Sequence, residues 1–228
     1  MTKESFRRLQ ERFSDPLLTA LTIMLALLLF VIAPLQASGV AVAHFFGILF
    51  TFVLVAAVFF VSGSPWAVAG TALALILSIV TSSLRAHHPS ILDVYLEAAS
   101  WLAAGLTLLI VVVRAVFAPG RITFHRVIGA VLLYLDVGLI FAALYGFLAL
   151  AKPDAFAGLP PMHDNLSVGT NVVYFSFVTL TSVGYGDIAP VHPLARSLAN
   201  IEAIIGQLYP ATLLARLVTL ELAHRDKA

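Results

Sequence analysis

From Pro16 to Leu84 the chain runs for 69 residues without a single Asp, Glu, Lys or Arg. Charged residues make up about a quarter of a typical soluble domain, because they cover the surface that water wets. No water-facing fold of this size hides so long an uncharged run. The composition as a whole agrees, with 61% of the 228 residues hydrophobic and 11% charged. Lipid must therefore be the solvent for much of the surface. The net charge of +1 and the lack of cysteine exclude a nucleic-acid binder built on basic excess, a disulfide scaffold and thiol chemistry.

A bilayer core of about 30 Å takes roughly 20 apolar residues of helix to cross, since each backbone amide must be satisfied within the segment. By this measure the sequence predicts an all-α membrane protein with six transmembrane helices: Pro16 to Leu35, Val40 to Val61, Pro65 to Leu84, Ile91 to Phe117, Val127 to Ala151 and Pro193 to Ala223. Turn-forming runs separate them, among them Ser38-Gly39, Ser62-Gly63-Ser64-Pro65, Pro119-Gly120 and Lys152-Pro153. Six crossings place Lys3, Arg7, Arg8, Arg12, Arg114, Arg121, Arg126, Arg216, Arg225 and Lys227 on one side, against Arg85, Lys152 and Arg196 on the other. Positive charge in short loops marks the cytoplasmic face, so both termini are expected inside a plasma or inner cell membrane. The first apolar run exceeds the roughly 7–15 residues of a signal peptide, and no cleavage is expected at Ala41-Val42-Ala43.

The fifth and sixth segments are joined through Thr170-Asn171-Val172-Val173-Tyr174-Phe175-Ser176-Phe177-Val178-Thr179-Leu180-Thr181-Ser182-Val183-Gly184-Tyr185-Gly186-Asp187. Its first dozen residues suit about three helical turns, too short to span a bilayer, and it ends in Gly-x-Gly. This predicts a re-entrant helix over 168–181 followed by an extended strand over 182–186. Non-helical backbone at membrane depth is tolerated only where protein buries it or where it lines a water-filled path.

The string Thr181-Ser182-Val183-Gly184-Tyr185-Gly186-Asp187 resembles the selectivity filter of the potassium channels, a Thr-Val-Gly-Tyr-Gly loop. Tyr174-Phe175 and Thr179-Leu180-Thr181 are similar to that family's pore helix. The resemblance implies that the backbone carbonyls of Ser182, Val183, Gly184 and Tyr185, with the Ser182 hydroxyl, replace the hydration shell of K+. Glycine's access to positive φ at Gly184 and Gly186 turns those carbonyls to one side. Thr181, Gly186, Asp187, Tyr174 and Phe175 would support the filter. Ser182 replaces the family's usual threonine, and the lost methyl implies a looser innermost site. Each chain holds one copy of the loop, whereas the ion needs a ring, so a homotetramer is implied.

The resemblance divides the chain into a cytoplasmic N-terminus (1–15), a four-helix membrane domain (16–117), a linker (118–126) and a pore domain (127–223) with its inner helix over 193–223. The four-helix domain resembles a voltage sensor without its charges. Ile91 to Phe117 carries Asp93, Glu97 and one positive residue, Arg114. Each charge moved through 100 mV is worth about 2.3 kcal/mol, so steep voltage gating is not expected. Gly206, 19 residues after Asp187, stands where inner helices of the family have a hinge, or alternatively permits close helix packing. Pro210 removes a backbone hydrogen bond one turn later, and the two are candidates for a gate.

Asp136 and Glu202 are carboxylates at membrane depth, which marks them as functional candidates. About 1.5 Å of rise per residue lets them meet near mid-depth. They read either as a proton-sensitive pair or as hydrogen-bonded carboxyls bracing the pore helix. His87, His88, His163 and Asp164 have no metal-binding spacing. No cofactor is expected, K+ being the permeant ion. The partners expected are further copies of the chain and membrane lipid, not nucleic acid, and an unidentified regulatory partner is left open. The chain ends a few residues after its last apolar segment, so no nucleotide- or calcium-binding domain is expected there. Alternatives are a non-conducting regulatory or structural subunit on the same fold, or a cation transporter, although the paired broken helices of a transporter are not seen. No facing nucleophile and base suggest an enzyme.

Overall fold

The computed structural model describes residues 16–37, 68–73, 76–77, 80, 91–117, 124–160 and 165–225. The N-terminal segment, the second crossing, most of the third, and His87, His88, His163 and Asp164 lie outside the described residues. The described chain is almost wholly helical. Three of its helices are long and apolar enough to cross a membrane: Pro16–Leu35, Ala98–Val116 and Val127–Ala151.

The first, α1, spans Pro16–Leu35 and contains a π-helical turn at Leu28–Ile32, closed by the Ala33 N–H on the Leu28 carbonyl. Pro34 explains the widening. It offers no N–H, and its ring crowds the carbonyl four residues earlier. Helix α2 covers Ile91–Val116, and α3 covers Phe124–Ala151, three residues earlier at its start than the apolar pattern alone indicates. Helix α4 spans Asn165–Leu180 and α5 spans Pro193–Arg225. Proline suits the first position of α5, where its missing N–H would be unpaired in any helix. The helix continues through Pro210.

Leu18, Leu21, Leu25 and Leu29 form a stripe on α1 at spacings of three and four, and it meets Leu108, Val111, Val112 and Val116 of α2 and Ala130, Leu132, Leu133 and Leu135 of α3. Helix α3 is the scaffold. Of its apolar span 61% is buried, against 28% for α2, so α2 turns most of its surface outward, as a lipid-facing helix should. Hydrophobic burial does not drive helices together inside lipid, and polar contacts mark the α1–α3 seam. The Thr19 hydroxyl lies 2.7 Å from His125 Nδ1, and Thr22 Oγ1 is 3.2 Å from the Ile128 carbonyl.

A second cluster positions the loop. Phe141, Ala142, Tyr145 and Ala149 of α3 pack with Val172 and Phe175 of α4 and with Phe156, Ile188 and Ala195. The strands β1 (Phe156–Ala157) and β2 (Ala189–Pro190) pair antiparallel, and the N–H groups of Val191 and His192 reach the Ala155 carbonyl at 2.9 and 3.1 Å. The chain on the far side of the Gly-Tyr-Gly is thereby tied to the segment that follows α3.

Candidate functional site

The site grows from the end of α4. A helix leaves its last four carbonyls without intrahelical partners, and here all four are accounted for. The Phe177 carbonyl accepts the Thr181 N–H at 3.0 Å and the Thr181 hydroxyl at 2.6 Å. Val178 accepts the N–H groups of Val183 and Gly184 at 2.9 and 3.3 Å, and Thr179 accepts that of Ser182 at 2.9 Å. Leu180 accepts the Tyr134 hydroxyl of α3 at 3.2 Å. The amides of residues 181–184 thus fold back onto the helix. Among the described residues, the carbonyls of Ser182, Val183, Gly184 and Tyr185 accept no hydrogen bond.

Gly184 and Gly186 have φ of +58° and +83°, the left-handed backbone expected of them. Ser182 was not expected to join them, yet its φ is +56°, so every second residue of the segment is left-handed. A serine there costs about 1–2 kcal/mol, and a β-branched residue fits worse still. This gives a backbone reason for serine in place of threonine. The side chain is held as well, by the Gln207 amide of α5, whose Nε2 lies 2.9 Å from Ser182 Oγ.

Around the strand the rings divide their tasks. Tyr174 stacks on Tyr185 with centroids 6.4 Å apart and planes within 1°, inside the range favourable for offset pairs. Asp187 lies close enough to Tyr174 to act on its hydroxyl. Phe175 is buried instead, meeting Tyr145 at 4.9 Å and Phe156 at 5.4 Å edge to face. Tyr174 and Phe175 therefore face opposite ways, one toward the strand and one into the core.

Gly206 touches the loop's base directly. A Cβ there would lie 1.8 Å from the Leu180 carbonyl oxygen, so only glycine lets α5 approach α4 this closely. Tyr209, one turn further, donates to the Ala130 carbonyl at 2.7 Å and stacks on Tyr134 at 5.9 Å. The contact reading of Gly206 thus has direct geometric support.

Asp136 and Glu202 are both buried but do not pair. Glu202 Oε2 accepts the Tyr145 hydroxyl at 2.5 Å, and Oε1 lies 2.5 Å from Ser176 Oγ. Ser176 Oγ is also 2.6 Å from the Gly138 carbonyl. Asp136 faces α2 instead, its Oδ1 3.5 Å from where a Gly105 Cβ would stand. Among the described residues neither carboxyl oxygen of Asp136 has a partner. Gln207, Tyr134, Tyr145 and Ser176 escaped sequence reasoning. Their signal was available, since each is a polar side chain inside an apolar helix and must find a partner there. Among the described residues no group of three or more His, Asp or Glu could hold a metal ion.

Residues 129–221 match the family model described as "Ion channel", the stretch that holds α4, the loop and most of α3 and α5. With the three apolar helices, that match supports an integral membrane protein whose residues 129–221 resemble an ion channel. Two curated relatives resemble it. Protein LctB of Bacillus caldotenax is 37% identical over 87 residues, covering 37% of this chain and 64% of that protein. Protein LctB of Geobacillus stearothermophilus is 39% identical over 67 residues, covering 29% and 46%. The chain thus spans less than two thirds of either relative's length. No solved structure matches.

Proposed function

We propose that the chain is one subunit of a homotetrameric, potassium-selective channel that conducts K+ passively across a cell membrane. The observation that carries this reading is the backbone of Ser182–Tyr185. Its first amides are spent on α4, its carbonyls accept no hydrogen bond among the described residues, and its handedness alternates. Free carbonyls at membrane depth need a substitute for water, and a dehydrated cation supplies one. Four such strands around an axis would offer rings of oxygens to K+, with the Ser182 hydroxyl at the inner end. Val183 and Tyr185 are 52% and 72% exposed in the single chain. Neighbouring copies would cover them and complete the ring.

With Arg114 the single basic residue in the last turn of α2, open probability should depend weakly on voltage. The test is flux from liposomes holding purified protein. Potassium should pass far faster than sodium, and Gly184→Ala, which forces a side chain into left-handed backbone, should abolish the flux. Equal sodium and potassium rates would overturn the selectivity. Current that climbs steeply with depolarisation would overturn the gating claim.

A further inference from the structure

The contacts of Ser176 leave one proton to be accounted for. A serine hydroxyl has a single proton to donate, yet Oγ lies 2.6 Å from the Gly138 carbonyl and 2.5 Å from Glu202 Oε1. Both distances sit at the short end of O–H···O bonds, too short for one proton shared between two acceptors. The Gly138 carbonyl can only accept. If Ser176 donates to Gly138, the contact with Glu202 is a hydrogen bond only when Oε1 carries a proton. The other oxygen, Oε2, is occupied as the acceptor of the Tyr145 hydroxyl. One arrangement satisfies every group: Tyr145 donates to Glu202, Glu202 donates to Ser176, and Ser176 donates to Gly138.

We propose that Glu202 is a protonated carboxylic acid and a positioning residue, whose proton completes a hydrogen-bond chain locking α4 to α3 and α5. The inference rests on the channel reading for its effect on conduction, but not for the proton itself. Loss of that proton would turn the Ser176 hydroxyl toward the carboxylate. The Gly138 carbonyl would then face a serine lone pair at 2.6 Å, and repulsion would replace the bond joining α4 to the α3 backbone. Ser176 lies six residues before Ser182, so the loosened helix is the one that holds the strand. Among the described residues, the groups facing Glu202 are Tyr145 of α3 and Ser176 of α4, with Tyr134 of α3 near enough to feel its charge while its hydroxyl is turned to Leu180. On α5, the Tyr209 hydroxyl is turned to Ala130. None of these is a cation that would hold Glu202 ionised.

Difference infrared spectroscopy on the purified full chain tests the proton directly. A protonated-carboxyl carbonyl band should be present at neutral pH in an Asp136→Asn background, vanish with Glu202→Gln added, and shift with Ser176→Ala, which removes the proton's acceptor. Absence of the band at neutral pH, or a band unmoved by Ser176→Ala, overturns the proposal whether or not the protein conducts. Liposome flux tests the consequence. Wild-type flux should fall at least several-fold on the alkaline side, whereas Glu202→Gln, whose amide can donate to Ser176 and accept from Tyr145, should keep its flux there. An alkaline fall unchanged in Glu202→Gln overturns the positioning role. Should sodium pass as well as potassium while the band behaves as stated, the selectivity reading fails and the protonated brace stands.

Discussion

Replacing Gly206 by alanine separates two roles for one residue. A hinge glycine is used for its flexibility, and alanine in a helix costs nothing by propensity; it is favoured over glycine by about 1 kcal/mol. A contact glycine is used for its missing side chain. The added Cβ would sit 1.8 Å from the Leu180 carbonyl oxygen, and ordinary contact begins near 3.4 Å, so α5 and the end of α4 must part by about 1.6 Å. The colliding atoms are backbone, which no rotamer change can relieve. Overpacking of this kind costs about 1–3 kcal/mol, and the gain in helix propensity offsets only part of it. Because the Leu180 carbonyl also takes the Tyr134 hydroxyl and lies two residues before Ser182, the displacement reaches the segment over 182–186. Thermal unfolding of purified protein, followed by size-exclusion chromatography, should show a lower midpoint and loss of assembly. Liposome flux should fall at least tenfold. A Gly206→Ala protein with wild-type stability and faster or slower gating alone would refute the contact argument and restore the hinge.

The same contacts give three further expectations. Gln207→Leu removes the donor to Ser182 Oγ at 2.9 Å, and Ser182→Thr puts a β-branched residue into left-handed backbone. The first should cost about 1 kcal/mol and weaken block by internal barium in flux assays, the second should lower the unfolding midpoint, and no change in either would undo the account of the inner end. Asp136 holds a buried carboxyl without a partner among the described residues, and a polar group buried without a hydrogen bond costs about 1–3 kcal/mol. Asp136→Leu should therefore raise the unfolding midpoint, and a marked fall would show that the carboxyl has work to do. Phe177→Ala breaks the edge-to-face contact with Phe30 of α1 at 5.4 Å and the seat on Gly138. Phenylalanine truncation in cores costs about 3–5 kcal/mol, an upper bound for this half-buried ring, and an unchanged midpoint would mean that α1 does not brace α4.

What could be read from the sequence was local and periodic. Uninterrupted apolar runs marked α1 and α3 to within a few residues, because the length of a membrane crossing is set by the bilayer and not by tertiary detail. Gly184 and Gly186 announced their backbone because few other residues tolerate it. Ser182 did not, since the strain it carries is maintained by contacts from α5 and by the amides bonded to α4, none of which is adjacent in sequence. The carboxylates show the same division. Their burial was legible in the apolar residues around them, but their direction depends on the azimuth of each helix, which a 28-residue apolar stretch such as α3 conceals by offering no polar face. Asp136 was thus turned toward α2 and Glu202 toward α4. The polar residues that settled the matter, Tyr134, Tyr145, Ser176 and Gln207, share one physical origin. Inside lipid a helix satisfies its own backbone, so a polar side chain has no water to turn to and is left to bind another helix. Where the hydrophobic effect cannot say which helix faces meet, those few side chains do. Two of the four bind α4 or the segment that follows it, Ser176 stands on α4 itself, and Tyr145 joins them through Glu202.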